Sequence, residues 1–76
     1  MLKIRSGQVL DSEISFGINF SGNLEVVLRI RAFYLHHSSI IKMFERNGWE
    51  WENSATYYKG EYDKFYPGNL FFVKEF

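Results

Sequence analysis

The fold is decided by residues 10–34, which read LDSEISFGINFSGNLEVVLRIRAFY. Apolar side chains fall on nearly all the even positions of this stretch, and polar ones occupy most of the odd positions. This alternation is typical of strands with one buried face. Ser, Gly and Asn at residues 21–23 form a turn signal between the two halves. We therefore predict two antiparallel strands, at residues 10–20 and 24–34, whose even side chains form one buried face.

The length of the turn predicts the register of this hairpin. A three-residue loop would place Phe20 opposite Leu24. The same register would place Glu13 opposite Arg31 as a favourable cross-strand charge pair. Turn and hydrophobic pattern agree, and such agreement specifies the register of a hairpin.

The flanking sequence predicts the remaining elements. Apolar spacing of about 3.6 residues predicts a helix at residues 38–47, with Ser38 as its N-cap and Gly48 just past its end. Further strands are expected at residues 2–4, 49–52, 56–59 and 70–76, with a type II turn at Tyr66-Pro67-Gly68-Asn69. We therefore predict one small α+β domain over residues 1–76. It is an antiparallel sheet of about five or six strands, in the order β-β-β-α-β-β-β, with one helix packed on it.

Composition excludes several classes of function. The chain has 76 residues, nine basic and nine acidic side chains, and no cysteine. Disulfides, thiol–zinc sites and cysteine nucleophiles are therefore excluded, and no basic excess marks the chain as a nucleic-acid binder. The sequence has no apolar run near the roughly 18 residues that span a membrane, so we expect a cytoplasmic location, in the host cell if the protein is viral. No cofactor is expected.

The aromatic residues are concentrated in residues 49–76, which hold ten of the fifteen and have a net charge of −2. Aromatic side chains are enriched at protein interfaces, whereas acidic neighbours would repel the phosphates of nucleic acid. We therefore predict a non-enzymatic protein-binding module, a small inhibitor or regulator of a larger protein partner. A homodimer is also expected, since so small a domain has a thin stability margin. The predicted protein-binding residues are Trp49, Glu50, Trp51, Glu52, Tyr57, Tyr58, Glu61, Tyr62, Asp63 and Tyr66.

Basic side chains on the odd positions of the first strands form the first alternative. Lys3, Arg5, Arg29 and Arg31 could contact phosphates, which would make the chain a small nucleic-acid-binding module. The strand between them brings acidic side chains into the same face. Cross-strand charge pairing is therefore the favoured interpretation, and nucleic acid is the less favoured partner.

The adjacent histidines form the second alternative, a small hydrolase or nuclease. His36 or His37 could act as a general base or bind a metal. In an extended segment their side chains would point to opposite sides, and Ser38 and Ser39 are explained by helix capping. We favour a structural role for all four residues and predict no catalytic or metal-binding residue.

Residues 40–49, IIKMFERNGW, resemble the helix and following strand of small HicA-type toxin ribonucleases, which have a fold like that of double-stranded-RNA-binding domains. That resemblance implies a small ribonuclease. Those toxins carry a Gly-Ser-His catalytic element after the strand, whereas this sequence has no histidine after His37. The ribonuclease activity is therefore not carried over.

The whole chain is also similar to small accessory proteins of phages and mobile elements, including anti-CRISPR proteins. They too are short, cysteine-poor and rich in aromatic residues. This resemblance implies an inhibitor that binds a larger complex.

Overall fold

The computed structural model describes residues 7–52 and 65–75, which form a four-stranded antiparallel sheet and one helix. The elements are β1 (Asp11–Ile18), β2 (Leu24–Phe33), α1 (Tyr34–Arg46), β3 (Glu50–Glu52) and β4 (Pro67–Glu75). The strands are ordered β1-β2-β4-β3, and each neighbouring pair is antiparallel. The predicted α+β class is confirmed. The described residues form four strands rather than five or six, and the strands predicted at residues 2–4 and 56–59 lie outside them.

The β1–β2 hairpin forms as predicted, but its register differs by two residues. Ile18 rather than Phe20 lies opposite Leu24. Asn19 explains the difference, because its side-chain Oδ1 accepts hydrogen bonds from the backbone N–H groups of Ser21 and Asn23, both at 3.0 Å. The backbone N–H of Asn19 also donates to the carbonyl of Asn23 at 2.9 Å, so the three-residue loop is displaced by one position, to residues 20–22. A shift of two residues keeps every side chain on its predicted face.

Helix α1 begins at Tyr34, four residues before the predicted start. The N-cap residue Phe33 makes no side-chain capping bond. Ser38 therefore lies inside the helix, and its prediction as the N-cap was wrong. The backbone N–H of Tyr34 instead donates to the carbonyl of Tyr66 at 3.2 Å. The free backbone N–H at the start of α1 is therefore hydrogen-bonded by a neighbouring segment of the chain, whereas the sequence analysis expected a local N-cap side chain to bond it.

The end of α1 is as predicted. Asn47 is the C-cap, and Gly48 follows with φ of +85°. A left-handed glycine after the C-cap is the usual way to end a helix, because a side chain there is strained.

The predicted turn at residues 66–69 was wrong. Strand β4 begins at Pro67, which lies opposite Phe33, and Gly68 lies opposite Ala32. Proline is tolerated as the first residue of a strand, where its missing N–H costs no ladder bond. Local turn preference is therefore overridden by pairing with β2.

The core lies between α1 and the even-numbered side chains of the two central strands. Phe44 of α1 stacks on Phe72 of β4, with ring centroids 4.4 Å apart and planes inclined by 22°. Burial of each large apolar side chain contributes roughly 1.5–3 kcal/mol. The buried cluster consists of Leu28, Ile30, Ala32, Ile40, Phe44, Leu70 and Phe72.

Candidate functional site

The largest exposed apolar feature of the described residues lies on β1. Its even side chains face the same side of the sheet as the core, since Ile14 lies opposite Leu28 and Phe16 opposite Val26. They were predicted to be buried, and that prediction was wrong. Four residues, which we name the β1 strip, have high exposed fractions: Ile14 58%, Phe16 71%, Ile18 69% and Phe20 112%.

The dimensions of one helix explain why β1 is left uncovered. A helix is about 10 Å across and strands lie about 4.8 Å apart, so a single helix cannot cover all four strands of the described sheet. α1 packs on β2, β4 and β3. The β1 strip lies beyond its reach, at the sheet edge formed by the described strands. Contiguous apolar patches exposed on a monomer are often functional.

The other face of β1 carries an ion-pair cluster. Asp11 accepts from Nη1 of Arg29 at 2.8 Å and from Nη1 of Arg31 at 3.3 Å. The hydrogen bond from Arg29 is the main reason why the pKa of Asp11 is lowered. The predicted pairing of Glu13 with Arg31 was wrong, because the register shift places Glu13 opposite Arg29 and Asp11 opposite Arg31.

This ion-pair cluster contains two of the four residues of the predicted nucleic-acid face. Both described members, Arg29 and Arg31, donate to the same carboxylate, that of Asp11. Nη1 of Arg29 also donates to Oδ1 of Asn69 at 3.2 Å. Lys3 and Arg5 lie outside the described residues.

The two tryptophans of the predicted protein-binding surface are half-buried against the core. Trp49 meets Phe44 edge-on at 6.0 Å between centroids, and Nζ of Lys74 lies 5.8 Å from the centroid of the Trp49 ring. Trp51 lies opposite Phe72 on the helix side of β3. Each tryptophan ring therefore packs partly against the core and leaves part of its area exposed to solvent.

The acidic members of that surface are better exposed. Glu50 and Glu52 are exposed, on the face of β3 opposite to Trp51. Tyr66 is also exposed. The other predicted members, Tyr57, Tyr58, Glu61, Tyr62 and Asp63, lie outside the described residues. The structure thus brings together Trp49, Glu50, Trp51 and Glu52 at β3.

A cleft of about 400 Å³ opens between α1 and β3. Tyr34, Ile41 and Trp51 give it a mainly apolar lining, and Lys42 and Glu45 lie on its helix side. It lies at the opposite end of the strand order from the β1 strip.

The histidines lie in the first turns of α1 rather than in an extended segment. His37 is buried, and its Nε2 lies 2.8 Å from the carbonyl oxygen of Ala32. Burial lowers the pKa of His37, although backbone hydrogen bonds with Ala32 and Gly68 partly oppose that effect. This geometry ties α1 to the β2–β4 pair, which supports a structural role. Ser39 donates to the carbonyl of His36 at 2.9 Å, within the helix.

Within residues 7–52 and 65–75, no group of three His, Asp or Glu side chains is placed to hold a metal ion. The helix in this part of the chain is not long and apolar enough to cross a membrane.

Comparison of the chain with models of known protein families, with curated proteins and with solved structures found no match.

Sequence reasoning identified the residues of the β1 strip but assigned them to the core. One feature of the sequence could have corrected this prediction. The sequence contains several strands with apolar even positions but only one helix that could cover them. One short helix cannot cover every strand whose even positions are apolar.

Proposed function

We propose that the protein is a non-enzymatic protein-binding module and that the β1 strip is its binding surface. The observation that carries this proposal is the exposure of three large apolar side chains along one edge strand of the described sheet, and of Phe20 in the loop that follows it. Water around such a patch is released when another protein covers it, which favours association. Binding of this kind regulates a larger protein by covering part of its surface, which is the role predicted from the sequence.

The backbone of β1 supports the same proposal. A strand at the edge of a sheet presents a row of N–H and C=O groups that can pair with another extended chain. Strand addition of this type takes its affinity from main-chain hydrogen bonds and its specificity from alternate side chains. β1 supplies eight residues for such pairing. Its even side chains would enter the apolar part of the contact.

Site-specific photo-crosslinking in the native host tests the proposal. We would place benzoylphenylalanine at position 16, in the β1 strip, and in a matched control at position 35. Leu35 is also a large exposed apolar residue, but it lies on α1. We expect covalent protein adducts from position 16 and few from position 35. Equal yields of adducts at positions 16 and 35, or no adducts at position 16, would contradict the proposal.

A further inference from the structure

The outer edge of β1 can be derived from the hydrogen bonding of the hairpin. Asn19 N–H donates to the carbonyl of Asn23 at 2.9 Å, and these residues continue the register that joins Ile18 to Leu24. In an antiparallel ladder, hydrogen-bonded pairs recur at every second residue. The odd residues of β1 therefore bond to β2. The even residues, Ser12, Ile14, Phe16 and Ile18, direct their N–H and C=O groups to the outer side.

The residues of β1 that expose apolar side chains therefore also turn their backbone groups outward. No other described strand pairs with that side of β1. A partner strand at this edge would form main-chain hydrogen bonds and place its own side chains beside those of the strip. The partner must present an extended segment with apolar side chains on the same face.

We propose that this partner is a second copy of the chain, paired antiparallel through β1 about a two-fold axis at Phe16. This inference rests on the proposed function, since it names the occupant of the same strip. Around that axis, Phe16 meets Phe16 of the second copy, and Ile14 meets Ile18 of the second copy on each side. Cross-strand pairs of aromatic and β-branched side chains stabilise sheets.

The charges of β1 fit this register. Both acidic residues, Asp11 and Glu13, lie at the start of the strand. Around an axis at Phe16 they lie opposite Ser21 and Asn19 of the second copy, so no like charges meet. Like charges directly opposite would destabilise the pair.

The pairing also joins the two strips side by side on one face of a single sheet. Phe16 and its apolar neighbours then pack their flanks against those of the second copy. The product is a continuous sheet of eight described strands with a β3 at each end.

Sedimentation velocity of the full chain over a wide concentration range tests this inference. We expect a concentration-dependent dimer. The variants Phe16→Glu and Phe16→Lys should each be monomeric, because each places two like charges together at the axis. An equimolar mixture of the two should restore a one-to-one dimer, because opposite charges then meet there. Phe16 is exposed, so both variants are expected to fold, and circular dichroism would verify this.

Leu35→Glu is the matched control, since it adds a charge at an exposed apolar position outside the strip and should dimerise like the unchanged chain. A monomer at every concentration would overturn the inference, as would dimers of both single variants. A mixture that stays monomeric would overturn the register at Phe16. A foreign adduct at position 16 together with a monomeric chain would leave the proposed function standing and reject the second copy as the partner.

Discussion

Phe16 and Val26 lie directly opposite each other on the core side of the sheet, yet 71% of Phe16 is exposed and only 5% of Val26. The covered part of the sheet therefore ends between two adjacent strands. β2 belongs to the core and β1 does not, although both carry apolar side chains on the same face. This boundary leaves the apolar face of a strand that was predicted to be buried exposed.

The core prediction concerns Phe44, which is fully buried and stacks on Phe72. We expect Phe44→Ala to lower the free energy of unfolding by about 3–5 kcal/mol, because it removes buried contacts and leaves a cavity. Urea denaturation at a fixed protein concentration would measure this. Leu35→Ala, at an exposed helix position, should change it by less than about 0.5 kcal/mol. A loss at Phe44 as small as that of the control would contradict the packing described above.

Gly48 provides a second test, because its φ of +85° lies in the left-handed region. A Cβ at this position would meet only the end of the Lys74 side chain, at 3.7 Å, so the cost is conformational rather than steric. We expect Gly48→Ala to destabilise the protein by about 1–2 kcal/mol. The control Gly17→Ala lies in open space without positive φ and should not destabilise. Equal thermal melts for both variants would argue against the proposed helix end.

The pH dependence of stability should report on His37. Burial lowers the pKa of His37, so in the window below its usual value of about 6.5 the unfolded chain binds more protons than the folded one. Stability should therefore fall as the pH is lowered through that value and level off below the folded pKa. Urea denaturation at a series of pH values would show this slope. His37→Gln should reduce the slope and the control His36→Gln should keep it, whereas an unchanged slope in His37→Gln would reject this origin.

The Asp11 cluster should give a pH dependence of the same sign as His37, but in a more acidic window. The pKa of Asp11 is lowered, mainly by the hydrogen bond from Arg29, from an ordinary value of 3.8. Its contribution to stability is therefore present above that value and is lost as the pH falls through the folded pKa. NMR titration of the Asp11 carboxyl carbon should give a midpoint below 3.8, and Arg29→Gln should move it upwards. A midpoint that does not respond to Arg29→Gln would contradict the ion pair.

The sequence predicted the hairpin, the face of each of its side chains and the end of α1, because each depends on local chemistry. Period-two alternation determines which side chains share a face, and Gly48 ends the helix through its own backbone. The hairpin register differed from the prediction by two residues, because the hydrogen bonds of Asn19 place the three-residue loop at residues 20–22 instead of 21–23.

The remaining differences come from tertiary contacts. Pro67 and Gly68 have strong local turn preferences, but pairing with Phe33 and Ala32 draws them into β4. Alternation shows that one face of a strand is apolar, yet it does not show whether another element covers that face. For this reason the residues of the β1 strip were predictable, whereas their exposure was not.

Amide hydrogen exchange along β1, measured by NMR at low and high protein concentration, tests the central claim most directly. The odd amides, such as those of Ser15 and Gly17, should be protected at both concentrations by their bonds to β2. We expect the even amides of Ile14, Phe16 and Ile18 to exchange fast at low concentration and to become protected at high concentration, but to stay fast in Phe16→Glu. Fast exchange of these three amides at every concentration would contradict the claim that β1 pairs with a second copy.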